Sequence, residues 1–385
     1  MQDLAPSLEF RGARNLLVNC AGCQPGQSVL FVHETTDDGY YDPQLLPILR
    51  HAAVMLGFDV QTLAVPVSTE NLAPDPALSA AMAAADCTVF LARVGDQLRF
   101  RPTDASMNQI IPYTLDRDML SSRFGTSPYD AFVQLRELVD TAFAEAQDIH
   151  ISCPAGTDVH GGPVHFESHG RDVTRKRFPV AVGAPVPARS FAGRIAQRGF
   201  LTGTGSRYYA PWSCELSETL FVRFEGNRIT GFDGQSMDVA RARAHYAHVA
   251  GLFGLDRDYL HSWHAGIHPG CRYGQPAGDH MPRWSGSAFG NPRLLHFHTC
   301  GDTPPGEISL NVLDPTVRLN GVAVWENGRL YPQRLPGGAA LLAAFPDVAA
   351  AFAAPATDVG QGPDGQLSLG RSASTAGAAK LSASA

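Results

Sequence analysis

Ser28-Val29-Leu30-Phe31-Val32-His33-Glu34 is a compact apolar run that follows the turn Cys23-Gln24-Pro25-Gly26. Apolar side chains at successive positions suit a strand buried on both faces, as in a parallel sheet. The residues after it have the spacing of βαβ units. Asp42 to Leu56 has a helical pattern that stops at Gly57, and Asp59-Val60-Gln61-Thr62-Leu63-Ala64-Val65 is the next strand. Leu78 to Ala85 is a second helix and Cys87-Thr88-Val89-Phe90-Leu91 a third strand. Strand alternating with helix at this interval predicts an open parallel sheet. A short helix within residues 11–25, a strand over Asn108 to Tyr113 and a helix over Tyr129 to Gln147 complete a domain of residues 1–148. No Gly-x-Gly-x-x-Gly follows the first strand. His33-Glu34-Thr35-Thr36-Asp37-Asp38-Gly39 stands there instead and reads as a solvated turn, which speaks against dinucleotide binding.

The texture changes near residue 149. Ile149-His150-Ile151-Ser152 alternates, and Pro154 to Asp158 turns. Gly199-Phe200-Leu201 and Arg207-Tyr208-Tyr209-Ala210-Pro211 are strand-like. Thr219 to Glu225 and Arg228 to Phe232 flank Gly226-Asn227, a hairpin signal. Met237 to Leu252 returns to helix. Val317 to Leu330 holds strands about Asn320-Gly321 and a second turn at Asn327-Gly328. The expected fold class is thus α/β plus α+β: the parallel-sheet domain, then a mostly antiparallel domain over 149–335. Residues 336–385 are rich in Ala, Gly and Ser. Pro336 to Ala354 reads as a loose helix, and the tail from Pro355 is expected to be disordered, because it has little apolar surface to bury.

The bulk numbers exclude several classes of function. A chain of 385 residues with 44% hydrophobic and 17% charged residues is globular and long enough for two cores. A net charge of −7 leaves no basic footprint for nucleic acid. No apolar run is long enough to span a membrane, and Met1-Gln2-Asp3-Leu4 lacks the features of a signal peptide, so a cytoplasmic location is expected. Seven scattered cysteines do not form a disulfide framework, and Cys20-Ala21-Gly22-Cys23 has no second pair to make a zinc knuckle.

The chemistry concentrates between His261 and Asp302, which holds six of the fourteen histidines. Neutral imidazole is the commonest protein ligand for transition metals. His296 and His298 lie two apart on a predicted strand, so both rings point to one face. They form half of a metal site. His264 is the chosen third ligand, because Ala265-Gly266-Ile267 beside it allows close backbone approach; His261 and His268 are its rivals. Three protein ligands leave positions open for substrate, water or oxygen, which marks a catalytic site. Asp302 is an alternative carboxylate ligand, whereas Asp314, before Pro315, reads as a turn residue. His245 and His248 read as packing or surface groups on a helix. His160, His165 and His169 fall in a Gly-rich, charged segment that reads as a loop.

In their order, several segments resemble the thermophilic metal-dependent aminopeptidases and, more closely, the 2,5-dihydroxypyridine 5,6-dioxygenases of the same fold. The carriers are Ile149 to Asp158, Gly205-Ser206-Arg207-Tyr208-Tyr209-Ala210-Pro211, Phe224 to Gly231, Gly266-Ile267-His268-Pro269, Phe289-Gly290-Asn291-Pro292, His296-Phe297-His298 and the Asn320-Gly321 strand pair. The resemblance implies an aminopeptidase T-like architecture over residues 12–330. The peptidases carry metal-bridging glutamates where this chain has Ser206 and Ser262, which disfavours a two-metal peptidase. The dioxygenases carry His-x-Asp where this chain has His296-x-His298. The implied protein is a non-haem Fe(II)-dependent oxygenase, another divalent transition metal being the alternative. Its substrates are O2 and a small hydroxylated aromatic or heterocyclic molecule. Arg207, Tyr208 and Tyr209 are the implied substrate contacts. A metal-dependent hydrolase or a non-catalytic relative is the alternative, and the family's habit implies a homodimer or higher homo-oligomer.

Overall fold

A computed structural model describes residues 7–367 apart from 36–38, 68–74, 100, 102–106, 167–174, 204–207 and 302–304. The expected parallel sheet is present. Its strand order is Asp59–Val65, Ser28–Glu34, Cys87–Leu91, Gln109–Pro112 and Lys176–Phe178, all parallel. Cys87–Leu91 is buried at every position, as a central strand covered on both faces must be. Helix Pro76–Ala84 starts where Asp75 accepts a hydrogen bond from the Leu78 amide and Pro76 fills a position that needs no N–H. The short helix expected within 11–25 is α-helical only to Arg14. It continues as a π-helical turn over Asn15–Cys20, where the Asn15 amide donates to the carbonyls of Gly125 and Ser127.

Two antiparallel sheets make the rest. One has six strands in the order Ser213–Glu215, Phe200–Thr202, Glu307–Leu313, Leu294–Cys300, Leu260–Ala265 and Val186–Pro187. The other has eight and includes the expected Leu220–Glu225/Arg228–Asp233 hairpin and Ile149–Ser152. Asn320 and Gly321, at φ 49° and 84°, form the expected tight turn between Thr316–Leu319 and Val322–Glu326.

Two expectations need correction. Residue 148 is not a clean boundary, because Lys176–Phe178 returns to complete the first sheet. One continuous core also runs through both halves: Phe143, on helix Tyr129–Glu145, packs edge-on against Trp263 and stacks near Trp325. Nor is the tail structureless from Pro355. Helices Gly338–Ala344 and Pro346–Ala353 lead into a strap at 358–361. There the Trp284 indole donates to the Val359 carbonyl, and the Tyr273 and Ala277 amides bond to Asp358 and Gly360. Val359 is fully buried. The sequence underrates this segment because its contacts are mostly main-chain. Residues 368–385 lie outside the described residues. No helix among the described residues is long and apolar enough to cross a membrane.

Candidate metal centre

Strand Leu260–Ala265 pairs antiparallel with Leu294–Cys300, which places His264 opposite His296 and Ser262 opposite His298. Side chains opposite one another share a face, so the three imidazoles converge. The other face carries Trp263 and Phe297, which pack on Phe143, Phe191 and Phe224. The sheet is therefore buried on both sides, one apolar and one polar. Gly266 ends the first strand, and a Cβ there would lie 2.1 Å from the Asn291 carbonyl oxygen, so the expected close backbone approach is real.

His264 Nε2 lies 2.8 Å from His296 Nε2 and 3.1 Å from His298 Nε2. All three rings are buried, 3–7% exposed. Their outer contacts favour particular nitrogens as the protonated ones. His264 Nδ1 faces the Gly183 carbonyl oxygen at 3.2 Å, a contact that is attractive only if Nδ1 carries the proton. His298 Nδ1 lies 2.6 Å from Glu307 Oε1 without the alignment of a hydrogen bond, so what acts on this ring is the carboxylate's charge, which favours a proton at Nδ1. Both rings then present bare lone pairs at Nε2, 3.1 Å apart, which repel unless a proton or cation lies between them. His296 Nδ1 is buried with no hydrogen-bond partner among the described residues, and its ring stacks on Phe289. Burial holds the His296 pKa well below its ordinary value. His264 and His298, then Arg177 and Arg99, push it further the same way. His296 thus resists protonation, and the cluster offers converging ring nitrogens, one ring lying beside a carboxylate. That is the donor chemistry of a transition-metal site with its supporting shell, and the residues fit such an ion.

The histidines open into a cavity of about 70 Å³. Its far wall comes from the first sheet. Arg99 follows helix Arg93–Leu98 beyond the end of strand Cys87–Leu91, Tyr113 follows strand Gln109–Pro112, and Arg177 lies on the returning strand. Arg99 and Tyr113 thus lie beyond the carboxyl ends of parallel strands, where open α/β sheets place ligands. Arg99 Nη1 donates to Asp96 Oδ1 at 2.5 Å and to the Tyr113 hydroxyl at 3.2 Å. Ser285, Gly286, Ser287 and Phe289 close one side.

The other candidate residues lie elsewhere. His261 is the extra residue of a β-bulge, since Leu260 pairs with Thr299 and Ser262 with His298. Its Nδ1 meets the Ser262 hydroxyl at 2.7 Å. His268 stacks on Phe132 at 3.8 Å and accepts from the Gly270 amide, so it packs a turn. Tyr209 donates its hydroxyl to the Glu307 carbonyl; neither it nor Tyr208 lines the cavity. Asp302, Arg207 and His169 lie outside the described residues. A second, exposed group has His150 and His160 stacked and both bonded to Asp158.

Sequence reading missed Glu307, Arg99 and Arg177. Glu307-Ile308-Ser309-Leu310-Asn311-Val312 alternates cleanly and marks a strand with a carboxylate on its polar face. In register, Ser309 faces His298 and Glu307 faces Cys300, one diagonal step away. The arginines left no sequence signal, because a crossover strand delivers one and a loop the other.

Fold and site together define a protein with a buried three-imidazole centre between a parallel and an antiparallel sheet. No protein-family model matches the sequence, and no curated protein does. Among solved structures the chain is similar to 2,5-dihydroxypyridine dioxygenase from Pseudomonas putida KT2440, with 17% identity over 84% of this chain and 96% of that one and a TM-score of 0.56. It also matches AmpT from Thermus thermophilus, with 12% identity over 84% and 98% of the chains and a TM-score of 0.45. The chain shares the fold of the first.

Proposed function

We propose that this protein is a non-haem Fe(II)-dependent oxygenase acting on a small hydroxylated aromatic or heterocyclic compound, with His264, His296 and His298 as the metal ligands. The observation that carries the reading is the convergence of three buried Nε2 atoms, with the outer nitrogens of His264 and His298 facing a carbonyl and a carboxylate oxygen. When bound, iron supplies the electron relay between an electron-rich ring and O2. The chain's own part is to hold, orient and exclude. Glu307 fixes the His298 ring. Gly183 fixes His264. Phe289 stacks on His296 and makes one wall dry. The cavity is far below the ~300 Å³ of a drug-sized site, which suits a compact molecule and not a peptide.

A second reading, a metal-dependent hydrolase, has the same imidazoles in its favour, since three-histidine sites also hold zinc with one open position. Hydrolysis there calls for a general base. Glu307, the carboxylate in contact with the ligands, is 2% exposed and engaged with His298, which favours the oxygenase. An oxygen electrode decides the matter. Anaerobically iron-loaded protein should consume O2 with a dihydroxylated ring, and the uptake should vanish on iron removal. Amide hydrolysis without O2 uptake points to the hydrolase.

A further inference from the structure

We infer that the ligand of this cavity is a small organic anion, whose carboxylate is held by Arg177 and Arg99 while oxygen atoms at its other end face the three histidines. The inference rests on the oxygenase reading only for the ring that joins the two ends. Its basis is the composition of the wall. Two guanidiniums share the described lining with the imidazoles, and no carboxylate is in that lining.

The wall is also pre-organised. Asp96, 4% exposed, grips one Arg99 nitrogen, which orients the planar guanidinium before any ligand arrives. Tyr113 accepts from that same nitrogen, so its own hydroxyl proton is available to a ligand oxygen. Three neutral imidazoles bring no negative charge to a divalent ion, unlike a site with a carboxylate ligand. A ligand carrying its own negative charge balances a poorly solvated cavity better than a neutral one. The volume, about 70 Å³, limits that ligand to one ring or less.

Zn(II)-loaded full-length protein binds without turnover, and calorimetric titration with 3,4-dihydroxybenzoate and with catechol isolates the carboxylate. The acid should bind at least about tenfold more tightly, the scale of a hydrogen bond to a charged group. Arg177→Gln, checked as folded by circular dichroism, should erase most of that preference, and Arg177→Lys should keep part of it. Equal affinities for the two probes in the wild-type protein, no binding of either at millimolar concentration, or a preference unchanged in folded Arg177→Gln overturns the inference. The wild-type comparison decides even if the variants do not fold. A carboxylate preference without O2 uptake in iron-loaded protein leaves the anion site standing and ends the oxygenase reading. O2 uptake with catechol and no preference for the acid does the reverse.

Discussion

Replacing Glu307 with leucine removes the acceptor that fixes His298 and leaves the strand's backbone pairing intact. The contact is short, 2.6 Å between Nδ1 and Oε1, and the carboxylate is 2% exposed, so water does not substitute for it. Loss of such a support typically weakens metal binding by about 10–100-fold, or ~1.4–2.7 kcal/mol. Glu307→Leu should therefore lower Zn(II) affinity by between one and two orders of magnitude. Glu307→Gln keeps the size and a neutral acceptor and should fall near the lower end, about tenfold. The Glu307 carbonyl still takes the Tyr209 hydroxyl in either variant, so the local anchor persists. Stability of the metal-free protein should not fall in step, because leucine relieves a buried charge. Competition with a chromophoric chelator reads the affinity, and thermal melts control for folding. A well-folded Glu307→Leu protein with wild-type metal affinity would refute the reasoning.

His298→Asp alone should bind metal poorly, because it sets a second carboxylate against Glu307, and the double variant with Glu307→Gln should recover much of the loss; chelator competition across the double-mutant cycle measures the coupling. His268→Phe should leave metal content unchanged, since the ring packs on Phe132 and Phe124 and accepts from the Gly270 amide, away from the three imidazoles. Burial depresses the pKa of His268 to about 3 and of His245 to about 4, from 6.5. The folded state thus favours the neutral rings. Their contribution is complete above pH 6.5 and is lost as pH falls towards 4 and then 3, at ~1.4 kcal/mol for each pH unit per group. Urea midpoints of metal-free protein should fall over that window, and the double variant His245→Leu/His268→Phe should flatten the curve; a wild-type midpoint that rises on acidification contradicts this.

The parallel sheet was legible because its central strands are uninterrupted apolar runs. Ser28–Glu34 and Cys87–Leu91 fall where the pattern puts them. The turns at Gly226-Asn227 and Asn320-Gly321 were legible for a local reason, the positive φ that those residues tolerate. That His296 and His298 share one face of a strand was legible from parity alone. Which of His261, His264 and His268 lies beside them was not. It depends on a bulge at His261 and on where the strand ends, and neither is written in periodicity. Lys176–Phe178 is too short to stand out as a strand, so the return of the chain to the first sheet, and Arg177 with it, was invisible. The strap around Val359 escaped because main-chain hydrogen bonds and one buried valine hold it in place, not an apolar stripe.

Elemental analysis of full-length protein purified and loaded with Fe(II) under anaerobic conditions tests the centre most directly. The geometry predicts about one ion per chain in the wild-type protein, retention in His261→Ala and His268→Phe, and loss in His264→Ala, His296→Ala and His298→Ala. A wild-type protein that holds no ion, or a folded His296→Ala/His298→Ala double variant that holds a full one, contradicts the account.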